Sequence, residues 1–317
     1  MKTGQTVLLL GATGTIGRAT YRTLMAHGHT VICPNRDAGK MLAGMATVPC
    51  DFSANALQDL CEIHKIDTVI SCVASRTGTP DSARAIDRDI NRRTLNAALA
   101  TCVKHFILLS AICVQKPKLA FQHAKLEFEA YLQKAPITWS IVRPTAYFKS
   151  LSGQVDRLRA GKPFLVFGNG ERTACKPISE NDLARYIVAC LDDPDTQNKI
   201  LPIGGPGPAI TPMEQGAMLF DALGVEPKFK RVPVALMTVI IAFISTLGLL
   251  SKRMADKAEL AKIGRYYATE SMLVWDAEKR AYDADGTLEY GSETLQDYYA
   301  KLAAGELDDD RGAHAVF

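Results

Sequence analysis

The chain has 317 residues, 47% of them hydrophobic and 22% charged, which is typical of a globular protein with a large core and one or two domains. Lys and Arg number 37 against 34 Asp and Glu, and a net charge of +3 does not indicate a nucleic-acid-binding surface, so we expect a small-molecule partner. The eight cysteines are scattered without a C-x-x-C pair, so we predict no metal or iron–sulfur site and mostly buried thiols in a reducing compartment.

Apolar, β-branched runs alternate with helical patterns through the first half of the chain. In order they are TVLLL, a helical pattern over residues 17–28, TVIC, a helix over 57–64, DTVISCVA, a helix over 82–102, and HFILLS. This alternation predicts βαβ units and therefore an α/β fold with a doubly wound parallel sheet of the Rossmann type. The opening run VLLL is too short for a secretory signal, so we expect a cytoplasmic protein.

A glycine-rich loop follows the first predicted strand directly, in VLLLGATGTIGRAT. Gly11 permits a tight turn, Gly14 lets a pyrophosphate approach the backbone, and Gly17 lets helix and strand pack closely. The strand before and the helix after this G-x-x-G-x-x-G spacing favour dinucleotide binding over an ordinary turn. The predicted cofactor-binding residues of the loop are Gly11, Thr13, Gly14, Thr15, Ile16 and Gly17.

The end of the second strand, VICPNRD, indicates which dinucleotide binds. Asn35 and Arg36 occupy the place where an acidic residue would bind the ribose hydroxyls of NAD. A guanidinium suits a 2′-phosphate, so Arg36 favours NADPH. Asp37 follows, and a solvated Arg–Asp surface pair is the alternative interpretation.

Two further strand ends are expected to contact the cofactor, because ligands bind at the carboxyl ends of parallel strands. Asp51 and Phe52, in PCDF, are predicted to face the adenine. Ala74 and Ser75, in SCVAS, are predicted to line the nicotinamide side.

The segment FQHAKLEFE contains Lys125 with Phe121 four residues before it. The glycine pattern and strand order resemble the extended, atypical branch of the short-chain dehydrogenase/reductase superfamily. In that superfamily a tyrosine stands one helical turn before such a lysine and protonates an alkoxide, while the lysine binds the nicotinamide ribose and lowers the tyrosine pKa. The alternative is that Lys125 is a solvated helix residue in register with Glu129 and that the site is inactive.

The absent tyrosine favours one reaction class over another. Carbonyl reduction creates a localised oxyanion that needs a fixed proton donor. Hydride addition to a carbon–carbon double bond conjugated to a large π-system gives a delocalised anion, which has less need of a fixed phenol. A site that retains Lys125 and has Phe121 therefore fits alkene reduction.

After ITWSIVRP, at 137–144, the alternation loosens and Gly/Pro-rich stretches such as VFGNGE and PIGGPGP appear. We predict an NADP-binding Rossmann domain over 1–150. A mixed segment over 151–305 is expected to complete the sheet, with a helix over 180–192, and to form a smaller C-terminal substrate-binding subdomain. Residues 306–317 are predicted to be a flexible tail.

The apolar stretch 234–250 contains seventeen residues without a charge and has basic residues on both flanks. It lies at the lower length limit for a membrane-spanning helix, and the flanking charges do not orient a span. We therefore predict a buried or interfacial helix.

Several stretches resemble one enzyme family over about residues 7–299. RPTAYFKSLSGQVDRLRAGKPFLVFGNGE, TACKPISENDLA, FQHAK and YYATESML are similar to NADPH-dependent 3,8-divinyl chlorophyllide 8-vinyl reductases, NmrA-like members of that atypical branch. The resemblance implies reduction of the 8-vinyl group of a divinyl (proto)chlorophyllide to ethyl in (bacterio)chlorophyll biosynthesis. It also implies that helix 234–250 walls an apolar pigment pocket or makes peripheral contact with photosynthetic membranes.

The resemblance assigns roles by position. The three glycines would hold the pyrophosphate, Arg36 the 2′-phosphate, and catalytic Lys125 the nicotinamide ribose. The proton source stays open among Tyr147, Lys149, Ser110 and His123, with Tyr147 included as catalytic and His123 expected to be exposed. For substrate binding, Tyr147 and Phe148 are predicted to stack on the macrocycle and Lys149 to meet its propionate; the alternative is a loop-to-helix junction packed for structure.

Two other functions compete with this hypothesis. A non-catalytic NADP-binding regulator or photosystem-assembly factor of the same fold would also lack the tyrosine. A different alkene reductase would act on another conjugated substrate. The other chlorophyll-pathway vinyl reductase type uses iron–sulfur and flavin chemistry, which the scattered cysteines do not support.

Overall fold

Seven parallel strands form the central sheet of the computed structural model, which describes residues 4–36, 45 and 47–307. The strands of the chain are β1 (Thr6–Leu10), β2 (Thr30–Asn35), β3 (Thr47–Pro49), β4 (Thr68–Ser71), β5 (His105–Leu109), β6 (Thr138–Pro144), β7 (Phe164–Phe167), β8 (Lys199–Ile203), β9 (Phe229–Val232), β10 (Val274–Asp276) and β11 (Ala281–Asp283). The spatial order of the sheet is β3-β2-β1-β4-β5-β6-β8. The predicted α/β fold with a doubly wound parallel sheet is confirmed.

The helices cover both faces of this sheet. They are α1 (Thr15–Ala26), α2 (Ala54–Ile63), α3 (Pro80–Ala83), α4 (Asn91–Leu99), α5 (Ala120–Leu132), α6 (Phe148–Leu151), α7 (Val155–Arg159), α8 (Glu180–Ala189), α9 (Pro212–Leu223), α10 (Val234–Gly248), α11 (Lys252–Thr269) and α12 (Leu295–Ala303). Helices α1 and α8 pack together, as do α2 and α4. Every residue of β5 is buried because a strand of such a sheet has a hydrophobic core on each side.

The helix predicted over 82–102 has an unpredicted feature in its middle. Between α3 and α4 the backbone forms a π-helix, Arg84–Ile90. π-Helical turns are rare and frequent at functional sites, because the wider turn changes the direction of the side chains that follow. Here the π-helix carries Asp87, which is buried and directed toward α5.

A second hydrophobic core lies beside the sheet. It is formed by side chains from 148–166, from 210–220 and from α12, and the small sheet β7-β9 belongs to it. Val274 of the second small sheet, β10-β11, packs against a separate cluster. Strand β8 nevertheless pairs with β6 in the large sheet. Residues on both sides of position 150 thus share one sheet, and the domain boundaries stay a prediction. Of the tail 306–317, residues 308–317 lie outside the described range.

Helices α10 and α11 form a hairpin with an unusually apolar surface. A Cβ on Gly248 would lie 3.0 Å from Ala255 Cα, so the glycine lets the two helices approach closely at the corner. Ile241 is the buried residue of α10, whereas Val239 and Phe243 are 65% and 66% exposed. Of the two alternatives predicted for 234–250, burial is therefore wrong along most of α10, and the interfacial alternative stays a prediction. Among the described residues, no helix is both long and apolar enough to cross a bilayer.

Candidate active site

The loop between β1 and α1 has the geometry of a phosphate-binding turn. Gly11 has φ of +73°, and a Cβ there would lie 2.8 Å from the Cys72 carbonyl group. A Cβ on Gly17 would lie 2.1 Å from Gly11 O, so α1 can pack onto the loop only with glycine at this position. A Cβ on Gly14 would meet only Gly11 O, at 3.4 Å, which leaves room for a ligand in front of the helix.

The N-terminus of α1 is free to bind an anion. Gly14 is the N-cap residue, no side chain caps the helix, and its first turn contains no acidic residue. Thr13 is exposed and Thr15 half-buried, whereas the Ile16 side chain is buried in the core, so the backbone of residue 16 is the part that faces a ligand. Unsatisfied N–H groups and the helix dipole together favour a pyrophosphate here.

Arg36 and Asp51 lie beside the same open cavity, of about 580 Å³, which Pro49, Cys50 and Ala56 also line. Arg36 is exposed, and its guanidinium lies 5.5 Å from the centre of the Phe52 ring. Phe52 is mostly buried with φ of +61°, and a hydrogen bond from Ser53 N lowers the pKa of Asp51, keeping that carboxyl ionised. A cation, an aromatic ring and a carboxylate around an open cavity are suited to bind the adenosine end of a dinucleotide. Asp37 lies outside the described residues.

Lys125 is a buried cation with a buried partner. Its Nζ lies 3.0 Å from Asp87 Oδ1, and the lysine is only 8% exposed. Asp87 Oδ2 accepts a hydrogen bond of 3.2 Å from the backbone N–H of Ser75. Glu129, the alternative partner of Lys125, forms an ion pair with Arg143 instead. The alternative of a solvated Lys125 paired with Glu129 is therefore excluded.

A chain of buried polar groups supports this ion pair from the sheet. Ser71, at the carboxyl end of β4, donates a hydrogen bond of 2.6 Å to Asn91 Oδ1. Asn91 Nδ2 donates in turn to the backbone carbonyl of Asp87, at 2.9 Å. Since all of these side chains are buried, the network fixes the π-helix, and with it the position of the Lys125 ammonium.

The Lys125 charge acts on two thiols, those of Cys72 and Cys113. Burial raises the pKa of the Cys72 thiol to about 12 and raises that of Cys113, although the Lys125 charge acts on both in the opposite sense. Burial, followed by the charges of the two thiols and of Glu180, raises the pKa of the Tyr147 hydroxyl. Burial also raises the pKa of the Tyr267 hydroxyl well above its usual range. The phenols therefore remain protonated at neutral pH.

The remaining proton-donor candidates are engaged elsewhere. Ser110 is buried and donates its hydroxyl hydrogen bond to Glu129, so it is not free to contact a substrate. His123 is exposed on α5, as expected. We therefore exclude Ser110 from the proton donors in this conformation.

The junction after β6 separates the three predicted substrate-binding residues. Tyr147 is partly exposed, and Lys149 is half-buried with its backbone N–H 3.1 Å from Glu180 Oε1. Phe148 is 1% exposed and packs in the second core, 5.5 Å from Tyr298 between ring centres. Because no ring face is accessible, we exclude Phe148 as a pigment-stacking residue.

Sequence reasoning missed Asp87. Asp87 belongs to a helical pattern with ordinary polar residues, and only the π-helix directs it at Lys125.

Comparison with known proteins places these features in a family. Residues 11–194 match a family model described as NAD(P)H-binding. A chloroplastic divinyl chlorophyllide a 8-vinyl-reductase of Zea mays is 43% identical over 98% of this chain and 83% of its own length. A photosystem II assembly factor, Ycf39, of Guillardia theta is 25% identical over 63% of this chain and 64% of its own length. The structure of a nucleoside-diphosphate-sugar epimerase from Staphylococcus aureus is similar in fold, with a TM-score of 0.65 and 18% identity, over 93% of this chain and 99% of its own.

We predict that removing one partner of the Lys125–Asp87 ion pair lowers the free energy of unfolding substantially. Lys125→Met leaves a buried carboxylate without its counter-charge, which costs about 3–5 kcal/mol of the free energy of unfolding. Asp87→Asn in the same chain removes that charge and should recover most of the loss. Urea unfolding of the two single variants and the double variant measures the coupling. A loss below about 1 kcal/mol for Lys125→Met would contradict a buried pair.

Proposed function

Because this chain belongs to the divinyl chlorophyllide a 8-vinyl-reductase family, we propose that it reduces the 8-vinyl group of a divinyl chlorophyllide or protochlorophyllide to ethyl, with NADPH as reductant. The observation that carries this proposal is the site itself. Lys125 is held in a buried ion pair, while the position one helical turn before it has Phe121 instead of a phenol. This constellation suits hydride addition to a conjugated alkene better than carbonyl reduction.

The residues around the loop fit the dinucleotide. The open space at Gly14 and the free N–H groups of α1 would hold the pyrophosphate. Arg36 would bind the 2′-phosphate beside the Phe52 ring, with Asp51 on the adenosine side. Ala74 and Ser75 follow β4 and would line the nicotinamide side. NADPH, when bound, supplies the hydride for the vinyl group.

Lys125 serves to position rather than to donate the proton. The Asp87 carboxylate fixes the ammonium, and Ser75 N fixes the carboxylate, so the donors of Lys125 that do not face Asp87 can bind the nicotinamide ribose in one orientation. A hydride transfer requires the donor and acceptor carbons to be held close, and a misplaced ribose would separate them. The charge that develops on the macrocycle is delocalised, so the reaction does not require a proton donor at position 121.

Tyr147 and Lys149 form the substrate side of the proposed site. Tyr147 packs, like Cys72, against one core of the sheet, and its partly exposed ring can contact a flat pigment. The Lys149 ammonium would pair with a propionate of the macrocycle as a point charge. Burial raises the pKa of the neighbouring Glu180, which weakens its competition for Lys149 at mildly acid pH.

The competing function is a non-catalytic NADP-binding assembly factor. The similarity to the photosystem II assembly factor covers less of the chain at lower identity than the similarity to the reductases. A buried Lys125–Asp87 ion pair is also costly to maintain without a use, because two charges are removed from water. Both points favour the reductase.

We expect the purified protein to reduce divinyl chlorophyllide with NADPH, seen as a small blue shift of the Soret band when one conjugated vinyl group is lost. Lys125→Ala should abolish turnover, and so should the Lys125→Met/Asp87→Asn variant, because the ribose loses its anchor while no buried charge remains. NADPH fluorescence and thermal unfolding are the controls for binding and folding. Normal turnover in the double variant would remove Lys125 from the mechanism, and a wild-type protein that binds NADPH without a Soret shift would favour the assembly factor.

Arg36→Gln should weaken NADPH binding selectively. Loss of a guanidinium–phosphate contact costs about 1.5–3 kcal/mol, which is a rise in Kd of roughly 10- to 150-fold. The Kd for NADH should stay unchanged because NADH lacks the phosphate. Fluorescence titration of both dinucleotides measures this, and equal losses for the two would contradict the assignment of Arg36.

The exposed surface of α10 supports a second proposal, peripheral contact with a membrane that contains anionic lipid. Its apolar side chains include Leu236, Val239, Ile240 and Phe243, and the leucines 249 and 250 after it are 85% and 89% exposed. Exposed cations stand at both ends, from Lys228 to Arg231 and at Lys252 and Arg253. An apolar helix between cations is suited to lie in the headgroup region of such a bilayer.

We expect the protein to sediment with vesicles that contain anionic lipid and to be released by salt in part. Val239→Glu/Phe243→Glu should reduce binding at least about tenfold, because two carboxylates replace buried apolar contact. Ile63→Glu is the matched control, since Ile63 is 73% exposed on α2, away from the hairpin. Unchanged sedimentation of the double variant, or self-association of the wild type that the variant abolishes, would contradict membrane docking.

A further inference from the structure

One face of α11 packs on the loops that follow two neighbouring strands of the sheet, β4 and β5. Ile263, Tyr266 and Glu270 are spaced three and four residues apart, so their side chains lie on the same face of the helix. The Tyr266 hydroxyl donates a hydrogen bond of 2.8 Å to the carbonyl of Cys113, in the loop after β5. Ile263 and Tyr266 pack in one hydrophobic cluster. Helix α11 therefore lies beside the edge of the sheet where ligands of parallel sheets bind.

The C-terminal end of α11 is anchored by a buried carboxylate. Glu270 is 7% exposed, and its Oε2 lies 2.8 Å from Lys116 Nζ and accepts a hydrogen bond of 2.6 Å from the Tyr282 hydroxyl. Its other oxygen pairs with Lys118. The Lys116 ammonium also lies 4.1 Å from the centre of the Trp275 ring. These contacts fix the end of α11 to the loop after β5 without the participation of α10.

The loop after β4 is covered by α11 at a single glycine. Gly78 has φ of +63° and is buried, although Arg76 and Thr77 just before it are exposed. A Cβ at this position would lie 2.6 Å from Ile263 Cδ1 and 3.5 Å from Phe121 Cδ1. The two side chains, one from α11 and one from α5, therefore cover the same face of the Gly78 backbone.

The same loop orients the buried ion pair. Three residues before Gly78, the backbone N–H of Ser75 donates a hydrogen bond of 3.2 Å to Asp87 Oδ2, while Asp87 Oδ1 lies 3.0 Å from Lys125 Nζ. The loop is thus attached to α5 at two points, by a polar contact through Asp87 and by an apolar contact at Phe121. A displacement of the loop at Gly78 would reach the hydrogen bond of Ser75 across only two intervening residues.

We propose that Ile263 is a positioning residue of the vinyl reduction, an inference that rests on the proposed reductase function. By covering Gly78 beside the Phe121 ring, Ile263 holds the loop whose backbone orients Asp87, and Asp87 in turn fixes the Lys125 ammonium at the nicotinamide ribose. The ring of residue 121 accordingly has a packing role, for which a hydroxyl group is not needed.

The test measures the binding of two nucleotides, NADPH and adenosine 2′,5′-bisphosphate, which lacks the nicotinamide ribose. Ile263→Ala should raise the NADPH Kd about three- to tenfold, because the charged hydrogen bond to the ribose is weakened but not removed. The Kd for the bisphosphate should stay unchanged. The kcat for vinyl reduction should fall at least about tenfold, since a misplacement of about 1 Å can cost about 100-fold in rate.

Two conservative variants of Ile263 grade the effect. Ile263→Leu keeps the volume of the side chain and should stay within about twofold of the wild type in NADPH Kd, because volume-conserving apolar replacements are well tolerated. Ile263→Val removes one methyl group, that of Cδ1, which lies nearest to Gly78. It should shift the NADPH Kd in the same direction as Ile263→Ala but less, and it replaces the alanine variant in the comparison if that variant does not fold.

A matched control and a double variant separate positioning from general stability. Ile241→Ala removes the buried isoleucine of α10 and should lower the unfolding temperature without changing either Kd. Phe121→Ala should reproduce the pattern of Ile263→Ala. The double variant should bind NADPH about as well as the weaker of the two single variants, because both side chains act on the same glycine and their effects are not additive.

Equal losses of affinity for the two nucleotides in Ile263→Ala would overturn the proposal, because they would indicate general loosening of the protein. Unchanged NADPH affinity and kcat in Ile263→Ala, or a rise in the NADPH Kd of Ile241→Ala as large as that of Ile263→Ala, would overturn it as well. A wild-type protein that binds NADPH without a Soret shift would contradict the reductase function, while the comparison of the two nucleotides would still decide whether Ile263 positions Lys125.

Discussion

The buried contact between Lys125 and Asp87 is the constraint on which the site depends. An ammonium and a carboxylate can be removed from water together only if each is held in place, and the structure supplies that support from three directions. The backbone of Ser75, the side chain of Asn91 and the wide turn of the π-helix all act on Asp87, not on Lys125. The position of Lys125 is consequently fixed through Asp87, and its remaining N–H donors are available to a ligand.

This division of roles explains how a site can lose the phenol next to its lysine and remain a site for chemistry. In the superfamily arrangement one helix carries both groups, and the lysine both tunes the phenol and binds the ribose. Here α5 carries the proposed ribose-binding group without a phenol one turn before it, and the carboxylate that fixes its ammonium comes from the π-helix between α3 and α4.

Much of the fold followed from patterns that are local in the sequence. The strands up to β6 and the glycine loop were predicted because hydrophobic period, turn residues and chain order all indicate the same architecture. Asp87 was not predicted, since it acts through a contact with a residue far along the sequence. Phe148 was misassigned because the sequence around an aromatic residue in a loop is the same whether its ring faces a core or a ligand. The sequence also could not decide whether α10 is exposed. An apolar helix has the same sequence pattern in a protein interior and at an interface, and only its packing against α11 in the structure distinguishes the two.

The corner at Gly248 determines how the apolar surface of α10 is presented. Since a single methyl group there would collide with Ala255, the two helices of the hairpin have one tight geometry at this point. The exposed apolar side chains of α10 therefore stand on a closely packed helical hairpin, so that a bilayer would meet a preformed surface and would not have to order a loop.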